Sequence, residues 1–462
     1  LSAKPGLVIA TGGGALVDPE NRAVMLRTGL VICLSAAPDE ILQRVGTAGD
    51  RPLLAGANPR DRIVRLIKAR EAAYAMIPWH IDTTGRSVAD LVAQVIAISG
   101  NIHLPVRYPG GEYSIQIGSG VIGYLGGILR AAGLQDESSI AIVSNPVVLP
   151  LYGASVETAL REAGFRPFMC TIPDGEHNKN LNAVRSLYDQ FLAGKLDRSG
   201  AVLALGGGVT GDTAGFAAAT FMRGVGFVQV PTTILAMTDA SVGGKTGVDL
   251  PQGKNLAGAF KQPDAVFIDL DVLSTLSAQD VRSGMAEVIK HGLIDAPELF
   301  TELSGGPVPG GIGLSATSLA RSIQVKIKIV EEDPYERGRR AVLNFGHTTG
   351  HALEQLSQFA MRHGEAVSIG MVAATRIAEE LAVAEAGLAH KIAACLSAWD
   401  LPTLCPAFAV DAILEAMTRD KKKQGRKLRW VLPREIGAVD IFDDVPEDVI
   451  KHILISMGAK QA

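Results

Sequence analysis

Residues 201–212 read AVLALGGGVTGD. Five apolar residues run into three glycines, and polar residues follow at Thr210 and Asp212. That is the order of a buried strand, a tight turn and a helix start. Gly206, Gly208 and Gly211 satisfy G-x-G-x-x-G, a spacing that lets backbone approach a phosphate at a helix N-terminus. The ribose-binding acid that usually follows about 20 residues on is missing. The chain there reads VQVPTT (228–233). Two readings stay open at this point: a plain glycine turn, or dinucleotide binding of a non-standard kind, which the neighbouring motifs favour.

Around this stretch the pattern repeats. YSIQIGSG (113–120), SIAIVSN (139–145), RPFMCTIP (166–173) and GFVQVPTT (226–233) are strand-like, and NLNAVRSLYDQFLAGK (180–195) is helical. Strands alternating with helices predict an α/β domain with a largely parallel sheet. Toward the N-terminus, GLVIATGGG (6–14) reads as a buried strand entering a glycine turn, and LVICLSA (30–36) as a second strand. DEILQRV (39–45) and RDRIVRLIKAREAAYAM (60–76) read as helices. The Gly and Pro content of SGNIHLPVRYPGGEY (99–113) marks a boundary. Beyond about 275 the segments 278–294, 315–333, 350–360 and 364–387 have helical period, and KLRWVLPREIGAVDIF (427–442) looks like a short hairpin. The expected layout is a partial domain at 1–97, a linker at 98–112, an α/β domain at 113–276 and a mainly α domain at 277–462.

Composition narrows the class. The 462 residues are 47% hydrophobic and 20% charged, which suits a globular protein with a sizeable core. A net charge of −4 gives no reason to expect nucleic acid or an anionic membrane as partner. Cys33, Cys170, Cys395 and Cys405 form no CxxC pair, so neither a disulfide framework nor a cysteine zinc site is indicated, and a reducing cytoplasm is expected. No apolar run reaches about 18 residues, so no membrane span is expected. No secretory signal opens the chain, which starts at Leu1; we expect an N-terminal portion to be missing.

Chemistry-bearing residues concentrate between 174 and 422. DASVGGKTGVD (239–249) ends like a phosphate loop, but Asp239 stands where its first glycine belongs, so a Walker loop is not supported. Lys245, Lys254 and Asn255 still suggest an anionic ligand; a solvated glycine-rich loop is the plainer reading. GMAEVIKHG (284–292) places Glu287, Lys290 and His291 on a helix of small and apolar residues, where Glu287 is either a ligand or a surface charge. NFGHTTGHALE (344–354) sets His347 and His351 one turn apart, and His363 follows in RHGEAV. Glu287, His347 and His363 would make a three-ligand zinc set with one open position; histidines satisfied under a helix are the alternative. The spacing is not H-E-x-x-H, so a metalloprotease is excluded. KIVEEDPYERGRRAVLNFGH (328–347) adds Glu336, Arg339, Arg340 and Asn344 just upstream. TRDKKKQGRKLRW (418–430) is either a solvated loop or a lid carrying lysines to a phosphate.

In order and spacing, PDGEHNKN, GGGVTGD, FMRG, VPTT, DASVGGKTGVD, GKNLAGAF, GMAEVIKHG, LNFGHTTGHALE, HGEAVSIGM and DKK resemble 3-dehydroquinate synthase over about residues 112–455. The resemblance implies a Rossmann-like NAD-binding α/β domain, a helical domain and a cleft active site between them. It implies zinc, or alternatively Co2+, on Glu287, His347 and His363. NAD would meet Asp174, Glu176, Lys179, Gly207, Gly208, Asp212, Thr232, Thr233, Lys245, Lys254 and Thr275. Substrate would meet Arg223, Asp239, Lys245, Lys254, Asn255, Lys290, Lys326, Arg340, Asn344, His351 and Lys422. The family usually has an aromatic residue where this chain has Thr349. The implied reaction takes 3-deoxy-D-arabino-heptulosonate 7-phosphate to 3-dehydroquinate and phosphate. It runs through transient oxidation by NAD, phosphate elimination, reduction and an intramolecular aldol step, in a cytoplasmic homodimer. The alternatives are another NAD/zinc sugar-phosphate cyclase, a glycerol-dehydrogenase-like oxidoreductase or a non-catalytic scaffold.

Residues 1–97 resemble the C-terminal part of shikimate kinase. GLVIATGGGALV carries its glycine turn (Gly12 to Gly14), RPLL (51–54) its lid with Arg51, and AREAAY its substrate arginine, Arg70. Ala72 replaces the family's proline. The family's phosphate loop and metal-binding acids are not in this chain, so the expectation is no kinase activity here and a bifunctional intact protein.

Overall fold

The computed structural model describes residues 7–45, 58–77, 79–131, 133–135, 137–307, 312–422 and 428–461. The N-terminal segment contains α1 (Pro19–Thr28), β1 (Ile32–Ser35), α2 (Pro38–Val45), α3 (Pro59–Ala75), β2 (Trp79–Asp82) and α4 (Val88–Ser99). Asp18 starts α1 by accepting from the amides of Glu20 and Asn21. β1 and β2 pair in parallel as a two-stranded sheet. The run 7–12, expected as a strand, is exposed and unpaired. Strand formation needs a ladder to take up backbone groups, and the two-stranded sheet does not extend to it. The glycine turn at 12–14 lies against α3: the Tyr74 hydroxyl donates to the Gly13 carbonyl, and a side chain at Gly13 would strike Arg70. Arg51 and the RPLL stretch lie outside the described residues.

The stretch 98–112, expected as a linker, is mostly sheet. It holds β3 (Ile102–Tyr108), which turns at Gly110–Gly111 into β4 (Gly111–Gly118). The chain continues through α5 (Leu125–Ala131), β5 (Ser139–Ser144), α6 (Leu149–Glu162), β6 (Arg166–Thr171), α7 (Leu181–Ala193), β7 (Ala201–Gly206), α8 (Gly208–Thr220) and β8 (Gly226–Pro231). A hairpin of β9 (Lys245–Leu250) and β10 (Gly253–Phe260) then precedes β11 (Ala265–Asp269). The sheet order is β3-β4-β11-β8-β7-β5-β6, parallel except at β3. Every residue of β5, β7 and β11 is buried, as a parallel sheet covered on both faces requires. Trp79, Ile81 and Ile98 of the N-terminal segment share one core with Leu104, Val106 and Ile115, and the Trp79 and Tyr124 rings pack at a steep tilt with centroids 4.9 Å apart.

The second half is helical: α9 (Ala278–Asp295), α10 (Pro297–Leu303), α11 (Ala316–Glu332), α12 (His347–Leu356), α13 (His363–Glu380), α14 (Leu388–Ala398), α15 (Val410–Lys422) and α16 (Glu447–Ser456). The expected late hairpin is β12 (Trp430–Glu435) with β13 (Ala438–Phe442). α13 is buried over most of its length and packs on α9 and α12. α11 crosses the edge strand β3, where Glu331 accepts from the Arg107 amide (2.7 Å) and occupies an edge N–H. The molecule is therefore an α/β domain joined to a helical one. Among the described residues no helix is long and apolar enough to cross a membrane.

Candidate active site

Three helices bring the metal-ligand candidates together. Glu287 lies mid-way along α9, fully buried; His347 and His363 are the first residues of α12 and α13. Glu287 Oε1 lies 3.4 Å from His363 Nε2 and 3.9 Å from His347 Nε2. The close approach has a sequence cause. A side chain at Gly364 would meet the Ser283 carbonyl, and one at Gly370 the Gly346 carbonyl, each at 1.9 Å. Glycine at these two positions lets α13 rest directly on α9 and on the turn that opens α12.

The remaining nitrogens are held from behind. His347 Nδ1 faces the Phe345 carbonyl (3.2 Å), and His363 Nδ1 faces Glu354 Oε2 (3.4 Å). Both Nε2 atoms are thus turned toward Glu287. Buried Glu287 Oε1 has no hydrogen-bond donor. An unsatisfied buried carboxylate oxygen beside two imidazoles fits a divalent cation of the zinc class: N/O donors from three segments. Burial works against the Glu287 charge, but Lys290 and the two histidines hold its carboxyl well below the usual range. For His363, burial is outweighed by the Glu287 and Glu354 carboxylates, which push the imidazole up to about 10.

His351 follows His347 by one turn, with ring centroids 5.0 Å apart, and lies 6.2 Å from His363. Its imidazole is shifted downward by desolvation and by the positive charges of His363 and Lys254. Lys290 contacts Glu287 from the same helix. Across the cleft, a single π-helical turn (Ala236–Ala240) carries Asp239, whose carboxylate and backbone carbonyl both accept from Lys326 of α11. Burial opposes the Asp239 charge; Lys326 and Lys290 outweigh it and keep the carboxyl ionised. Lys245 pairs with Glu336.

The segment for which a solvated glycine-rich loop was the alternative reading is part of the β9–β10 hairpin, which carries Lys245, Lys254 and Asn255. Gly247 and Gly258 face each other across it, and a side chain at Gly258 would lie 2.3 Å from the Thr246 carbonyl. Lys179 Nζ lies 2.6 Å from Asp212 Oδ2 and donates to Asn255 Oδ1 (2.6 Å). Asn255 is left-handed (φ 54°), and its amide donates to Asp249 Oδ1 (2.7 Å). Burial pushes the Asp212 carboxyl up to about 6 despite Lys179. Lys254 Nζ lies 3.6 Å from Glu176 Oε1 and 4.2 Å above the Phe359 ring, so it touches both domains.

The glycine motif falls at a topological switch. From β5 the chain goes outward to β6, and from β7 it goes the other way to β8. Ligands of such sheets bind outside the strand C-termini at that point. There α8 starts at Gly208 with Gly207 before it and no side-chain cap, leaving its amides open to an anion. Thr232 and Thr233 follow β8, and Thr233 lies against Gly207. Asp174 accepts from Asn145 Nδ2 (2.8 Å) just beyond β5 and β6. Thr275 shares a hydrogen bond with the Tyr152 hydroxyl.

Of the remaining expected substrate residues, three are placed by the structure. Arg340 is buried, and its guanidinium donates to the carbonyls of Gly243 (3.3 Å) and Pro334 (2.8 Å), so it braces the turn before β9. Arg223 is exposed on a left-handed turn (φ 71°), and Asn344 is exposed at the end of a 3-10 turn. Lys422 ends α15, and its side chain lies outside the described residues. Thr349, buried, leaves its hydroxyl without a partner. Glu354 was not among the expected site residues. Its signal was the spacing of His347, His351 and Glu354 at i, i+4 and i+7, one stripe of α12.

Residues 169–283 match the family described as 3-dehydroquinate synthase N-terminal, residues 284–423 its C-terminal counterpart, and residues 1–99 shikimate kinase. A 3-dehydroquinate synthase of Nostoc punctiforme is 46% identical over 364 residues, 77% of this chain and 99% of that protein. One of Symbiobacterium thermophilum is 44% identical over 345 residues, 74% of this chain and 96% of its own. Among solved structures, a 2-epi-5-epi-valiolone synthase from Streptomyces hygroscopicus with NAD+ and Zn2+ bound has a TM-score of 0.67 at 28% identity, covering 75% of this chain and 96% of that one. A 2-deoxy-scyllo-inosose synthase complexed with carbaglucose-6-phosphate, NAD+ and Co2+ has a TM-score of 0.69 at 25% identity, covering 77% and 100%. With its three-helix carboxylate–histidine centre and its switch-point glycine turn, the chain belongs to the 3-dehydroquinate synthase family.

Proposed function

We propose that the chain converts 3-deoxy-D-arabino-heptulosonate 7-phosphate to 3-dehydroquinate and phosphate. The observation that carries this reading is the convergence of Glu287, His347 and His363 on one point, with Lys290 and the Lys326–Asp239 pair beside it and Lys254 near His351 and Glu354. Glu287, His347 and His363 hold the divalent ion, zinc or cobalt. Gly207, Gly208, Asp212, Thr232 and Thr233, with Asp174, Glu176, Lys179 and Thr275 around them, hold NAD. When bound, NAD supplies a hydride acceptor that is restored within each turnover, and the ion polarises the reacting hydroxyl.

The chain's own groups do the rest. Lys245, Lys254, Asn255 and Lys290 set positive charge and donors where a phosphate and a carboxylate lie, and they stabilise the phosphate as it leaves. Lys326 fixes Asp239 as an ionised acceptor toward the substrate hydroxyls. His351, one turn from the ligand His347, is positioned to move a proton at the reacting centre. Arg340 contributes by holding the turn before β9. Arg223, Asn344 and Lys422 enter the substrate set on family resemblance alone, as do a homodimeric state and a cytoplasmic location. Residues 1–99 match the shikimate kinase family and are given no part in this reaction.

Incubation with the heptulosonate phosphate, NAD+ and Zn2+ tests the reading. Phosphate and 3-dehydroquinate should appear together, with no net NADH. Net NADH would favour an oxidoreductase. Turnover of a different sugar phosphate in its place would favour another cyclase, the class of the two solved neighbours.

A further inference from the structure

We infer that Glu354 is a positioning residue of the metal centre: its carboxylate fixes the His363 ring with Nε2 turned toward Glu287, and it stands between that ligand and His351. The inference rests on reading Glu287, His347 and His363 as the ligand set.

The geometry is a relay through one imidazole. His363 has a carboxylate at each end, with Nε2 3.4 Å from Glu287 Oε1 and Nδ1 3.4 Å from Glu354 Oε2. The Nε2 contact is assigned as the ligand side and the Nδ1 contact as the orienting one. Glu287 lies beside both histidines and is fully buried on the third helix; Glu354 reaches His363 only from the outer side. In a neutral, metal-bound ring an acceptor at Nδ1 would hold the one proton there and leave the Nε2 lone pair to the ion. Metal-bound histidines are commonly held this way, and loss of the orienting carboxylate weakens metal binding.

Burial supports a purpose for Glu354. It is 6% exposed, and burying a carboxylate is costly unless charged or hydrogen-bonding partners compensate. Its partners are His363 and His351: the three side chains offer nitrogen and oxygen atoms all within 4.8 Å of one another. Glu354 is also fixed by its helix, since His351 lies one turn before it and His347 two. The same carboxylate therefore orients the ligand and lies beside the proton-carrying histidine. A change in its charge should be felt at both.

The test is metal binding by the full chain, read without turnover. Metal-free wild type, Glu354→Gln, Glu354→Ala and His347→Ala are titrated with Zn2+ in competition with a chromophoric chelator, and their folding is checked by thermal melting. Glu354→Ala should bind about 10–100-fold more weakly than wild type. Glu354→Gln, which keeps an acceptor oxygen but no charge, should fall between the two. A folded Glu354→Gln and a folded Glu354→Ala that both bind within twofold of wild type would overturn the inference. So would two zinc ions per wild-type chain with one lost in Glu354→Ala, because Glu354 would then be a ligand itself. If His347→Ala also binds like wild type, the ligand set is wrong; if only His347→Ala loses zinc, the ligand set stands and the role of Glu354 fails.

Discussion

Glu287 and Lys290 touch through their charged ends one turn apart on α9, and neither has meaningful contact with solvent. Such a pair is a poor stabilising device. Desolvating each ion costs several kcal/mol, and well-packed apolar residues commonly do as well. Its position explains it: Lys290 compensates a carboxylate whose other oxygen points, without a donor, at two imidazoles.

Lys290→Met removes that compensation while keeping much of the volume. We expect the metal-free variant to lose about 3–5 kcal/mol, the usual result of stranding one partner of a buried pair. Zinc should restore part of the loss, because the ion takes over as countercharge. The zinc-induced rise in melting temperature should therefore be larger in Lys290→Met than in wild type. Equal zinc-induced shifts would show that Lys290 and the ion do not share Glu287.

His347 and His351 separate by role. His347→Ala should lose zinc in the chelator competition and lose turnover with it. His351→Ala should keep zinc affinity within about twofold and lower kcat by about 10²–10⁴-fold, the range for a general acid or base. Turnover at the wild-type rate in His351→Ala would remove it from the proton path.

His291 gives a pH dependence with a definite sign. It is fully buried on α9, its Nδ1 lies 2.8 Å from the Ser322 hydroxyl, and burial, then Lys290, pushes its imidazole down to about 3. Between that value and the unfolded value of 6.5, the unfolded chain holds a proton that the folded chain does not. Stability from this group is thus present above pH 6.5 and is lost as pH falls toward 3. His291→Gln removes the titration. Its unfolding free energy should fall less steeply between pH 6.5 and 4, by up to one proton, when denaturant midpoints are compared. Matching slopes would show that His291 does not titrate in this way.

Much of the architecture was legible because its signals are local. AVLALGGGVTGD announces strand, turn and helix within twelve residues, and the helices of the second half carry full periodicity. The errors came where distant contacts override local chemistry. Pro105 and the Gly110–Gly111 pair read as a boundary, yet Pro105 is tolerated on an edge strand and the glycines make a hairpin turn. For 239–249 a solvated glycine-rich loop was the alternative reading, yet Gly247, with Gly258 opposite it, is what lets β9 and β10 approach. The apolar run at 7–12 had the composition of a strand and no edge to join. Within the site, helix spacing could set His347 beside His351, but not Glu354 beside His363, which comes from another helix. The bracing of the Gly243 carbonyl by Arg340 was not legible either, because it depends on a turn almost a hundred residues away.

Gly364→Ala tests how the centre is built. Alanine is the better helix former by about 1 kcal/mol, so local propensity alone predicts a gain in stability. The structure predicts the reverse. A Cβ at this position would lie 1.9 Å from the Ser283 carbonyl oxygen and 2.6 Å from the carbon behind it. The obstacle is the backbone of α9, and the Gly364 amide is already joined to Ser283 Oγ (3.1 Å). No side-chain rotation relieves the clash, so the start of α13 must move, and His363 is the residue immediately before. Overpacking of this kind costs about 1–3 kcal/mol. We expect Gly364→Ala to melt lower than wild type and to bind zinc more weakly, while its far-ultraviolet circular dichroism stays close to wild type. A variant that is more stable and binds zinc normally would show that the contact between α13 and α9 does not set the position of His363.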